Sequence, residues 1–362
     1  MLFGYPIAAT HDNWLHECLC EAIRSIHDAA NAGSCYPGWP AILPVTQRGR
    51  LSARTGLRDR LANYDKAVRR LSIVNRARVL QAVTDQNRIS DLLAGTCSCV
   101  TIDGLPRTIR RSVESLFGYA YTQLTDLGLR DRHYRVIYDS VRDHVCPFCG
   151  TEYFDAPGAP REDLDHYLAK SLYPFAAANL RNLVPMGHKC NSKYKLAADI
   201  LCCADGTRRV VFDPYDHADV VVLLDDSDPF SGATGNTPKW EVRFEPDSPA
   251  VSAWDEIFKV RERFCRDHLD PSFASWIRIF GEWACSIGLN LATDDAIVDA
   301  LARYESFWRE SGMQDRAFLK AAVFRMLHRH CEAGHRRLLD LIKDLTRLSR
   351  PSVSLVGSST LL

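Results

Sequence analysis

The chain lacks any apolar run of eighteen or more residues, which excludes a membrane-spanning helix. Its opening, MLFGYPIAATHDNW, lacks the basic start and apolar core of a secretory leader, which points to a soluble, cytoplasmic protein. Net charge is missing too: 45 Lys+Arg stand against 45 Asp+Glu in 362 residues, so a polyanionic partner has to be argued from local charge. There is no Gly-rich phosphate loop, GxSxG elbow or kinase signature, which leaves nucleotide hydrolysis unsupported. No internal repeat or low-complexity block occurs. What remains is ordinary globular composition, 46% hydrophobic and 25% charged, in a chain long enough for roughly two compact units. The 13 cysteines are an odd number without secretory features, which favours reduced thiols and a metal site over a disulfide framework.

Apolar residues at Leu15, Cys18, Leu19, Ala22, Ile23 and Ile26 fall on one helical face over 14–26. A second amphipathic pattern runs from Leu57 to Val83, and a third opens at Pro106 and stops near Gly128. Residues 1–140 therefore read as a helical region. Between 141 and 212 the texture changes to a CxxC pair, Pro and Gly punctuation and short apolar runs at 182–185 and 209–212, the signature of a small mixed module. An acidic, Gly/Pro-rich stretch over 213–247 follows, with short strands. Helical periodicity then resumes up to 350, and the Ser-rich 351–362 reads as a disordered tail. The fold class expected is α+β: a predominantly helical chain around a central module.

The chemistry concentrates in CPFCG at 146–150, DLDHYLAKSLYP at 163–174 and NLVPMGHKCNSKYK at 182–195. Cys146 and Cys149 can present two thiolates to one Zn²⁺, and Cys190 adds a third from the far end of a segment too short and polar to build a core unaided. His188 is the choice for fourth ligand; Cys202, Cys203 and His144 compete for that place, because Gly187 stands where a second CxxC would begin. Asp165 and His166 are adjacent, so a regular strand would send them to opposite faces, whereas a distorted strand end brings both to one cavity.

The order and spacing of CxxC, LDHYLxKS, NLVP and CNSK over about residues 141–200 resemble the HNH endonuclease superfamily, in its zinc-knuckle branch with the ββα-metal fold. The resemblance implies that the module is zinc-braced, that His166 is the general base, that Asp165 and Asn191 ligate a catalytic Mg²⁺ or Mn²⁺, and that Asn182 braces the loop between two strands. It implies DNA as substrate, with RNA as the alternative of a toxin-like relative. It also implies a place in prokaryotic restriction or anti-phage defence, with a partner such as an ATPase or sensor licensing cleavage. Lys170, Arg181, Lys193 and Lys195 surround the module and suit phosphate contacts, although cations on a first helical turn are equally at home in solvent. Two departures stand out: Ala169 sits where relatives often carry proline, and the second CxxC is absent. A non-catalytic zinc-stabilised nucleic-acid-binding or scaffold protein is the runner-up.

Four other features carry less. Residues 47–78 hold ten basic side chains against Asp59 and Asp65, a local surplus open to phosphate or to solvent. The Cys18/Cys20 and Cys97/Cys99 pairs read as buried thiols. His328, His330, Cys331 and His335 gather at a helix end, where imidazoles commonly meet terminal carbonyls. Tryptophans and phenylalanines between 254 and 308 fall at helical spacing and read as core.

Overall fold

The computed structural model describes residues 1–159, 164–216, 218–232 and 237–348, so the tail expected at 351–362 lies outside the described residues. The chain is predominantly helical with two small two-stranded sheets, an α+β arrangement in two compact units.

The first unit comprises Met1–Val220 and Pro246–Lys259. It opens with α1 (Trp14–Asn31), α2 (Val45–Leu51), α3 (Thr55–Arg69), α4 (Ile73–Gln86) and α5 (Ile89–Leu93). α1 buries Leu15, Cys18, Leu19, Ala22, Ile23 and Ile26, the face its spacing dictates. The unbroken pattern expected over 57–83 is divided into α3 and α4. Ser72 is extended (φ −63°, ψ 158°) and its side chain accepts from the Asn75 amide at 3.3 Å, so a cap interrupts a periodicity that apolar spacing alone carries across the gap. α6 (Arg107–Asp126) starts after Pro106, and α7 (Leu129–Ser140) follows Gly128, whose φ of 66° turns the chain at little cost only for glycine.

The helices form one core with the segment beyond them. Leu15, Leu61, Tyr64 and Phe117 are fully or almost fully buried together with Phe175, Leu180 and Leu183, and the Phe117 and Phe175 rings meet edge to face at 5.3 Å. Helical region and module are thus not separate bodies. In the module, β1 (Asp165–His166) pairs antiparallel with β2 (Leu183–Val184), in the register Asp165 with Val184 and His166 with Leu183. A π-helical turn, Cys190–Lys195, follows.

The chain beyond 200 completes the first unit. The apolar run 209–212 is not a strand: Arg209 N donates to Leu201 O at 2.8 Å and Val211 N to Leu93 O at 2.9 Å, so single bonds to two different segments replace a ladder. Nor does the first unit end at 212. α8 (Pro249–Phe258) returns to it, with Trp254 Nε1 donating to Phe148 O at 3.0 Å and the Phe258 ring 4.9 Å from Phe148, inside the CxxC turn. Burying two large aromatic rings offsets the loop entropy of that return.

The second unit, Val221–Glu245 with Val260–Leu362, pairs β3 (Val221–Leu223) with β4 (Arg243–Glu245) and adds α9 (Val260–Arg263), α10 (Asp270–Ser286), α11 (Asp294–Glu310), α12 (Ala317–Glu332) and α13 (Arg336–Leu348). Phe280, Tyr304 and Phe324 pack at 4.6–5.6 Å between centroids in its interior; of the aromatics between 254 and 308 expected in the core, Phe280 is buried there, whereas Phe307 is exposed and Trp283 and Trp308 are half-buried. No described helix is long and apolar enough to cross a membrane.

Candidate functional site

The CxxC turn is built by its backbone. Gly150 N and Cys149 N both donate to Cys146 O, at 2.7 and 3.2 Å, while Cys146 N donates to Glu152 O at 2.8 Å, which folds the two thiols toward one point. The turn entered through Gly187, whose carbonyl accepts from Asn191 N at 3.0 Å, delivers Cys190 to the same point. The three sulfur atoms lie within 4.8 Å of one another and all three residues are buried. Burial drives the Cys146 thiol well above its usual range, and neighbouring thiols do the same to Cys190. Three thiolates in such a place need a cation to exist together, so the cluster suits a soft divalent metal such as zinc.

His188 does not join the trio. It is exposed on the turn between Gly187 and Cys190, outside the sulfur group, while Cys190 two residues on is buried. Cys202, Cys203 and His144 also stand outside the cluster, His144 being stacked on Tyr138 at 3.9 Å.

Asp165 and His166 are both buried on the two-residue strand. His166 Nε2 lies 3.0 Å from Ala177 O, so that nitrogen carries the proton and donates, which leaves Nδ1 as the basic atom. The Tyr121 ring covers the imidazole at 4.4 Å between centroids. Burial, then the positive charges of Lys170, Lys195 and Arg130, hold the His166 pKa down to about 3, so the ring is neutral at physiological pH. Asn182 spans the loop between the strands: its Oδ1 accepts from Leu168 N at 2.7 Å and its Nδ2 donates to Leu168 O and Ala176 O at 3.0 and 3.3 Å.

Lys195 stands in a different place from the one expected. Rather than facing phosphate from solvent it is buried, with Nζ 2.8 Å from Asp165 Oδ2 and 2.8 Å from His166 O. Asn191 lies on the same turn, and the Lys195 contacts pack the Cys190–Lys195 segment against β1. Asn191 itself is half-buried. Burial raises the Asp165 pKa despite the opposing Lys195 charge.

Of the other expected phosphate contacts, Lys193 is exposed and Lys170 is exposed with Nζ 5.0 Å from the Tyr121 ring centre. The Arg130 guanidinium lies 5.1 Å from the same ring, so two cations flank the tyrosine that covers His166. Arg181 is engaged internally, 2.5 Å from Asp213 Oδ2 and 2.8 Å from Ser90 Oγ. The arginines of 47–78 are largely engaged too: Arg48 donates to Leu43 O and Ala41 O, Arg69 pairs with Asp65, and Arg76 donates to Val68 O and Ala30 O. That surplus closes helix ends and loops.

Sequence reasoning missed Tyr121, Arg130 and Glu152. The first two are ordinary members of a helical pattern and its successor, with no local signal; Glu152, six residues after Cys146, carried a positional signal only. No known protein family, curated protein or solved structure matches the chain.

Proposed function

We propose that the protein is a metal-dependent HNH endonuclease that hydrolyses phosphodiester bonds of DNA, with zinc at Cys146, Cys149 and Cys190 bracing a ββα-metal module. The observation that carries the reading is the seating of His166: one ring nitrogen is fixed by Ala177 O, the other is left basic, and the residue sits beside Asp165 on a strand paired with the segment that Asn182 braces.

In this reading His166 Nδ1 takes the proton from the attacking water, and Ala177 O holds the ring while it does so. At a pKa of about 3 the ring is neutral but a weak proton acceptor, so the negative charge of bound phosphate has to raise it for base catalysis. Asp165 and Asn191 offer hard oxygen donors, suited to Mg²⁺ or Mn²⁺. Such an ion, when bound, supplies an acidified water and neutralises charge on the scissile phosphate. Lys170 and Arg130 beside Tyr121 draw in and orient the flanking phosphates. The release of a 5′ phosphate, a role in prokaryotic antiviral defence and control by a partner ATPase or sensor belong to the same proposal and rest on the family resemblance.

The Lys195–Asp165 pair favours a second reading. An internal ammonium already neutralises the carboxylate that the catalytic ion would need, as it would in a zinc-stabilised binding protein without catalysis. Plasmid DNA, single-stranded DNA and RNA incubated with Mg²⁺ or Mn²⁺ separate the two. The nuclease reading expects cleavage that stops with EDTA and falls by about 10²–10⁴ in His166→Ala, the usual weight of a general base. Salt-dependent shifts without cutting, in the presence of either ion, would leave the binder.

A further inference from the structure

Three thiolates leave one corner of a tetrahedral zinc site to be filled, and the turn that delivers Cys190 has no side chain at Gly187 to fill it. Another residue occupies that volume. A Cβ built on Gly187 would lie 2.6 Å from Glu152 Oε2 and 2.8 Å from Glu152 Cδ. The carboxylate is held there from both sides: Oε1 accepts from Lys189 N at 2.9 Å, and Oε2 lies 3.8 Å from Cys149 Sγ. Zinc bonds of about 2.3 Å to sulfur and about 2.0–2.2 Å to a carboxylate oxygen put adjacent S and O corners of a tetrahedron about 3.6 Å apart. The separation from Cys149 is within a few tenths of an ångström of that edge; the carboxylate stands outside the 4.8 Å group that the three sulfur atoms form, so it must move closer to Cys146 and Cys190 to complete the site.

We propose that Glu152 is the fourth protein ligand of the Cys146/Cys149/Cys190 site, taking the corner that a thiolate at position 187 would otherwise supply. The inference rests on the trio being a zinc site and is independent of nuclease activity. A carboxylate keeps the total ligand charge of a four-thiolate site. The absence of a side chain at 187 is what admits Glu152, so the two positions exchange the same role: a cysteine at 187 would collide with Glu152 unless the latter were shortened. His188, exposed beside the turn, is the competing donor.

X-ray absorption at the zinc edge of the full-length wild-type protein reads the donor set directly. Three sulfur neighbours and one light atom, without the outer-shell scattering of an imidazole, are expected; an imidazole signature or four sulfurs would overturn the proposal. In competition with a chelator, Glu152→Gln should weaken zinc by more than the roughly 10–100-fold that loss of an outer-shell partner costs, with His188→Ala near wild type. Unchanged zinc affinity in Glu152→Gln overturns it as well. The double variant Glu152→Ala with Gly187→Cys should recover binding and show four sulfurs. A wild-type protein that retains no zinc at all would end the zinc reading of the trio itself, while the cleavage assay with His166→Ala would still judge the nuclease reading separately.

Discussion

Two clusters of metal-binding residue types stand out in this sequence, and they fold into different things. Cys146 and Cys149 come from one turn and Cys190 from another, forty-one residues beyond Cys149, and the three converge to within 4.8 Å. His328, His330, Cys331 and His335 lie within eight residues of one another, yet no metal-holding group forms there among the described residues. His330 Nε2 is 2.9 Å from Ser227 O, Cys331 is buried with its thiol pushed up to about 12 by burial, and His335 Nδ1 accepts from Leu338 N at 3.4 Å near the start of α13. Neighbours along a helix diverge by about 100° each, so proximity in sequence scatters their donors, whereas two turns meeting head-on focus theirs.

The comparison breaks most decisively at the trio. If the trio holds zinc, Cys146→Ser or Cys190→Ser should abolish zinc retention and destabilise the first unit by about several kcal/mol, because metal binding at such a site is folding free energy. Elemental analysis and urea unfolding check this, and a zinc-loaded, equally stable Cys190→Ser would erase the contrast. Asn182→Ala should come next. It removes three hydrogen bonds from the buried loop that carries Ala177, at about 1 kcal/mol each in stability, and should lower cleavage without removing zinc.

Acid sharpens the picture in the unit that holds the trio. Burial lowers His16 and His27 from 6.5 to about 4, so the unfolded chain binds the extra protons between those values. Stability contributed by the neutral rings is complete above pH 6.5 and is lost as pH falls through about 4. Urea midpoints should therefore decline on going from pH 7 to pH 4, and a midpoint that holds steady would contradict the burial of these imidazoles. The smallest effect belongs to the second cluster: His330→Ala should cost about 1 kcal/mol for its single hydrogen bond and leave zinc content unchanged. Loss of metal in that variant would restore the cluster as a site.

Much of the candidate site was legible because its cues are local. The CxxC turn and its Gly150 fix two thiols by backbone geometry, and the DH and NLVP segments announce β1 and β2. His188 was misplaced for an equally physical reason: adjacency to Cys190 says nothing about which way a turn directs each side chain. Lys195 could not be read from charge, since the same lysine serves solvent, phosphate or a buried carboxylate, and only the arrival of β1 beside it decides. Arg76 illustrates the same point, drawn to the Ala30 carbonyl elsewhere in the chain.

By itself the sequence determined which residues can do chemistry and which helical faces are apolar, because residue type and periodicity are properties of short windows. It determined the trio of thiols and the Asp165–His166 pair. Tertiary structure alone decided that Glu152 meets the thiols, that Lys195 is buried on Asp165, that Tyr121 covers His166 and that α8 returns to the CxxC turn. Each of these joins segments separated along the chain or turns on a side-chain direction, and such contacts are set by the packing of the whole unit rather than by any window of sequence.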